Sequence, residues 1–110
     1  MPHIRMRAMT EEHVAKLSGV LAKELAVAVH TDIDNFTFEL VETKFFTQGK
    51  ATKSYPFVEV LWFPRSQESK NACARIITDH IKELVGKEED VVVLFKELAK
   101  ESYYENGKHF

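Results

Sequence analysis

The chain has 110 residues, 45% of them hydrophobic and 29% charged, with a formal net charge of -2. Such a composition belongs to a globular chain of one domain, 1–110, and excludes general nucleic-acid binding, which needs a dominant basic face. One cysteine, Cys73, rules out an internal disulfide, and no apolar run approaches the roughly 18 residues of a membrane span. The N-terminus is too polar for a secretory signal, so a cytoplasmic protein with no membrane partner is expected.

Pro2, Ile4, Met6 and Ala8 alternate with His3, Arg5 and Arg7, the period of a half-buried strand. If Met1 is removed, Pro2 begins the chain as a secondary amine at the end of that strand. The ordinary pKa of an α-amino group is about 7.7–8.0, and partial burial lowers it. Pro2 could then act as a base near neutral pH; the plain alternative is a strand that merely starts Met-Pro. Thr10-Glu11-Glu12 reads as a helix start, a hydroxyl cap followed by two acids. Val14, Leu17, Leu21, Leu25, Ala28 and Val29 give that helix one apolar face as far as about His30. Phe36, Phe38 and Leu40 begin a second strand that extends toward Phe46, and Thr47 to Ser54 reads as a polar turn.

Pro56 to Phe63 forms a third, mostly buried strand. Ser66 caps a second helix whose inner face carries Cys73, Ile76, Ile77, Ile81, Leu84 and Val85. Gly86 closes it. Asp90 leads into a fourth strand, Val91 to Phe95, and the tail holds Tyr103, Tyr104 and an Asn106-Gly107 turn signal.

The halves, about 2–46 and 56–95, superimpose at a constant offset of 56 residues, with 96–110 as a tail. Ile4 falls on Val60, Thr10 on Ser66, Leu17 on Cys73, Val29 on Val85, Asp34 on Asp90 and Phe38 on Leu94. Two such units imply an α+β fold: a β-α-β-β-α-β pseudo-duplicate, with two helices on one face of a four-stranded mixed sheet. The other face would carry Arg5, Arg7, Thr37 and Glu39 mixed with Val93 and Phe95. An open, partly apolar face of that kind calls for a partner, so a homo-oligomer is expected, with the aromatic tail lying across a neighbouring subunit.

Pro2, the two β-α-β units and the chain length together resemble the tautomerase superfamily, and the extra C-terminal segment looks most like its macrophage migration inhibitory factor branch. The segment Pro64-Arg65-Ser66-Gln67-Glu68, followed by Lys70, is similar to the one that opens the second helix in malonate semialdehyde decarboxylase. The resemblance implies a tautomerase-like trimer with Pro2 as catalytic acid or base. It further implies that Arg65 binds substrate carboxylate and that Asp34, ahead of the second strand, activates water. The chain departs from the decarboxylase at Phe63, where that family keeps a further arginine. It departs from the inhibitory-factor branch at Thr31 and Asp32, and from short tautomerases at Thr37.

On this reading Pro2 lies near the end of the third strand, close to Trp62, Phe63 and Arg65. Arg65 precedes a helix N-terminus that favours an anion and offers carboxylate a two-pronged match. Trp62 and Phe63 would exclude water. The expected substrate is a small keto or enol carboxylic acid, with no cofactor. Bland readings stand beside each assignment: a solvated helix-entry charge for Arg65, a loop residue for Asp34. His3, His13, His30, His80 and His109 have no metal-ligand spacing, so no metal is expected. Cys73 reads as core. Arg5 and Arg7 could line an axial channel, bind an anion, or pair with acids across a subunit interface. Two rival functions remain: a non-catalytic homotrimeric binding or regulatory module, and a ferredoxin-like ligand sensor whose sheet inserts a further strand inside each β-α-β unit.

Overall fold

The local signals of the two helices set the frame. The computed structural model describes residues 2–110; Met1, whose removal the catalytic reading of Pro2 requires, lies outside the described residues. The elements in order are β1 (His3–Arg7), α1 (Glu11–Val29), a short 3-10 turn (Ile33–Asn35), β2 (Thr37–Val41), β3 (Phe45–Thr47) and β4 (Lys50–Thr52). They are followed by β5 (Phe57–Trp62), α2 (Gln67–Val85), β6 (Val92–Glu97), a second 3-10 turn (Lys100–Ser102), β7 (Tyr104–Glu105) and β8 (Lys108–His109).

Both helices start where a hydroxyl meets an otherwise orphan N–H. Thr10 Oγ1 accepts from the His13 N–H at 3.1 Å, and Ser66 Oγ from the Ser69 N–H at 3.1 Å. The first helix ends on His30 in the left-handed region, the second on Gly86 at φ 120°. Val14, Leu17, Leu21, Leu25, Ala26 and Val29 of α1 and Cys73, Ile77 and Ile81 of α2 are buried, the helical spacing read from the sequence. They pack with Ile4, Met6, Val58, Val60 and Trp62 in one core. No helix among the described residues is long and apolar enough to cross a membrane.

The four-stranded sheet runs β2-β1-β5-β6, with β1/β2 and β5/β6 parallel and β1/β5 antiparallel. Each β-α-β unit therefore pairs its own two strands directly, which removes the ferredoxin-like alternative. Ile4 stands opposite Val60, its own counterpart in the duplication, so the pseudo-twofold passes between these two residues.

Three expectations need correction. The second strand stops at Val41 rather than continuing to Phe46. Phe45–Thr47 instead forms a separate hairpin with Lys50–Thr52, closed by Gln48 and Gly49, both at positive φ. Second, the duplication slips by one residue at β6: His3 and Glu59 are 56 apart, but their partners Thr37 and Leu94 are 57 apart. A one-residue slip exchanges the faces of a strand. Val91, Val93 and Phe95 pack on the core, Phe95 stacking on Trp62 at 4.8 Å, while Val92 and Leu94 join the open face. Third, the tail folds onto its own chain: Tyr103 and Phe110 pack around Phe63 at 5.5 and 5.7 Å.

The open face is a grid. Across its middle run Glu39, Arg5, Glu59 and Leu94; Val41, Arg7, Phe57 and Val92 flank them on one side. Arg5 pairs with both Glu39 (3.3 Å) and Glu59 (3.4 Å), and Arg7 shares Glu59 at 3.4 Å. The two arginines thus find their acids within the same chain. Glu39 is held below the usual carboxylate range by its hydrogen bond from His3.

Cys73 is 2% exposed, and burial pushes its thiol up to about 11, against a smaller opposing pull from Arg65. A free cysteine titrates near 8.5, so at pH 8 the thiolate fraction drops by roughly two orders of magnitude. A disulfide reagent is expected to label native protein at least that much more slowly than unfolded protein. Rapid native labelling would place Cys73 outside the core.

Candidate active site

The antiparallel pairing of β1 and β5 brings the first residue of one strand to the last of the other. His3 stands opposite Leu61, so Pro2 falls beside Trp62. Pro2 is buried, and its carbonyl accepts the Thr37 N–H at 3.1 Å, tying it to β2 as well. Pro2, Trp62, Phe63 and Arg65, together with Thr31, Asn35 and Phe110, wall a cavity of about 210 Å³. Four of the five residues singled out from the sequence therefore meet in one place.

Arg65 is fixed from three directions. Its guanidinium carbon lies 5.6 Å from the centre of the Trp62 ring. Its Nη1 donates to the Val29 carbonyl at 3.0 Å, at the C-terminal end of α1, where unpaired carbonyls and the helix dipole favour a cation. Its backbone N–H donates to the Glu97 carboxylate at 3.2 Å, and the same carboxylate pairs with Lys70 at 3.4 Å. Arg65 Nε and the Trp62 indole N–H, both buried in residues of this wall, have no partner among the described residues. An unpaired buried donor costs about 1–3 kcal/mol, so the wall is under-satisfied in donors and short of an acceptor.

Asp34 stands apart. It is exposed, in the 3-10 turn before β2, and lines an adjoining cleft of about 510 Å³ with His3, Thr37, Leu61, Leu98, Tyr103 and Glu105. Cavity and cleft share Asn35 and Phe110. At the other end of β1 the duplication supplies a further hollow, bounded by Met9, His13 and Val85. There Met9 occupies the place that Arg65 holds, and no arginine is among the described residues that line that hollow. Among the described residues no three His, Cys, Asp or Glu side chains group as a metal site.

Sequence reasoning missed Thr31, Asn35, the Val29 carbonyl, Glu97 and Phe110. For Phe110 a signal existed: Asn106 and Gly107, at φ 54° and 82°, reverse the tail so that the Phe110 N–H donates to the Tyr103 carbonyl at 3.0 Å. Glu97 gave none, since it acts through a backbone N–H.

A family model described as a domain of unknown function, DUF1904, matches residues 1–109. The chain belongs to the DUF1904 family. The crystal structure of a DUF1904 domain from Sebaldella termitidis is 40% identical, with a TM-score of 0.91 over 100% of both chains. A protein from Vibrio cholerae is also 40% identical, with a TM-score of 0.88 over 99% of this chain and 87% of that one. A fused 4-OT solved as an asymmetric trimer is 15% identical, with a TM-score of 0.81 over 97% of this chain and 94% of that one. Structures of a macrophage migration inhibitory factor-like protein and of malonate semialdehyde decarboxylase share the fold at a TM-score of 0.68 each. This DUF1904 chain thus has the tautomerase-superfamily fold that its sequence resembles. No curated protein matches it.

Proposed function

We propose that this DUF1904 protein is a tautomerase-type enzyme acting on a small keto or enol carboxylic acid through the processed Pro2. One observation carries the reading: a buried Pro2 and the Arg65 guanidinium wall the same 210 Å³ cavity. Arg65 and the amides at the start of α2 would hold the substrate carboxylate. The Pro2 amine would take the enol O–H proton and return a proton to the adjacent carbon, a general acid–base step worth typically 10²–10⁴-fold. Trp62, Phe63 and Phe110 would keep water from the reacting atoms. Asp34, in the adjoining cleft, would accept hydrogen bonds from what lies at the mouth, including a water if the outcome is hydration or decarboxylation.

The assembly we propose is a homotrimer built on the open sheet face, whose apolar part is Phe57, Leu61, Val92 and Leu94 around a strip in which Arg5 and Arg7 are neutralised by Glu39 and Glu59. The trimeric state of the fused 4-OT is consistent with that reading. A second reading, a non-catalytic trimer, draws on the bond between Arg65 Nη1 and Val29, which occupies part of the fork.

The deciding experiment assays protein lacking Met1, checked by mass spectrometry, against phenylpyruvate-type and oxaloacetate-type enols. Arg65→Ala is expected to lower kcat/KM by roughly 10- to 100-fold, mostly through KM, as the loss of a charged hydrogen bond of about 1.5–3 kcal/mol implies. Arg65→Lys would recover only part of it, because an ammonium lacks the fork. Turnover that never exceeds the buffer rate would leave the binding module standing.

A further inference from the structure

The Pro2 cavity has a neighbour. Asn35 and Phe110 line both it and the 510 Å³ cleft, so the two hollows adjoin at these residues. The two compartments differ in charge. The cation of the smaller one is Arg65. The larger is lined by the carboxylates of Asp34 and Glu105, and no lysine or arginine is among its lining residues. Its one titratable base, His3, is committed elsewhere: Nδ1 bonds Thr37 Oγ1 at 2.6 Å and Nε2 bonds Glu39 at 2.8 Å. Among the described residues neither Asp34 nor Glu105 forms a salt bridge, although Lys108 faces Glu105 across the β7–β8 hairpin. Leu61 and Leu98 line the same cleft, giving apolar surface suited to methylene groups.

We infer that the substrate is a dipolar acid, carrying its carboxylate and reacting carbonyl at Arg65 and Pro2 and a cationic group at the far end of a short methylene chain, between Asp34 and Glu105. This deepens the proposed function and rests on it for the orientation of the head group. A dicarboxylic acid of the same length would bring its second carboxylate against two uncompensated acids, and an alkyl tail would gain only the Leu61 and Leu98 contacts. Both acids are solvent-exposed, so their pull is modest and salt-sensitive.

The test uses processed full-length protein in its native assembly and three 2-oxo acids of equal length, ending in an ammonium, a methyl or a carboxylate. The ammonium acid is expected to exceed the methyl acid by about tenfold in kcat/KM at low salt, with the carboxylate acid below both. In Glu105→Gln that ratio falls toward one, and 0.5 M salt reduces it in the unaltered protein. Calorimetry on the matching 2-hydroxy acids, which cannot enolise, reads the same preference without turnover. Tighter binding of the ammonium form, lost in Glu105→Gln, upholds the dipolar ligand even if no oxo acid is turned over, in which case only the catalytic reading falls. Preference for the carboxylate tail, no tail preference in binding, or a ratio that Glu105→Gln leaves unmoved overturns it.

Discussion

Replacing Pro2 by alanine in the processed chain is expected to lower kcat for enol–keto conversion by about 10²–10⁴-fold, the range of a positioned general acid–base group. Alanine keeps an α-amine but loses the ring that fixes the nitrogen at the head of β1. The one hydrogen bond found for Pro2 is made by its carbonyl to the Thr37 N–H, and alanine keeps that carbonyl. Folding should therefore survive, and a loss of rate with an unchanged denaturation midpoint would belong to the chemistry. Protein that retains Met1 offers an independent route to the same answer. Its Pro2 nitrogen is an amide without a basic lone pair, so its activity should fall at least as far. Equal rates for Pro2→Ala and the unaltered enzyme would remove Pro2 from the mechanism.

Trp62→Ala should cause the largest loss of stability, about 3–5 kcal/mol, out of the 5–15 kcal/mol typical of a domain. Trp62 is 2% exposed on the central strand β5, stacks on Phe95 at 4.8 Å, and supports the Arg65 guanidinium. Alanine would leave a cavity between sheet and α2 and would free Arg65 at the same time. Trp62→Phe separates these effects: it keeps a ring for Phe95 and for the cation while deleting an indole N–H that has no partner among the described residues. Its expected cost is about 1–2.5 kcal/mol, well below that of Trp62→Ala, because the smaller ring loses less buried surface and leaves a smaller cavity. Urea titrations with unchanged slopes would measure both variants. A Trp62→Phe loss as large as that of Trp62→Ala would mean that the indole N–H does have a partner.

Much of the site was legible because its residues cluster near element ends, where sequence signals are strongest. Pro2 opens β1, and Trp62, Phe63 and Arg65 lie between the last residue of β5 and the Ser66 cap. The antiparallel pairing implied by the duplication was enough to bring those two places together. Asp34 stands just ahead of β2, where the sequence predicts it, but does not line the cavity, since the 3-10 turn that Asp32 caps carries it to the cleft side. Glu97 and the Val29 carbonyl were invisible because they hold Arg65 through backbone groups, which every residue has.

By itself, the sequence determined what depends on neighbours along the chain: the caps at Thr10 and Ser66, the stop at Gly86, and the inward helix faces. It also determined the repeat that makes one β-α-β unit the image of the other. Tertiary structure alone decided the facing of β6. Val91-Val92-Val93-Leu94-Phe95 is apolar at every position, so no alternation marks an inner side, and only the packing of Phe95 on Trp62 selects one. It also decided that Phe110 lines the same cavity as Pro2, because that placement brings together the two ends of the chain and depends on no local preference of either.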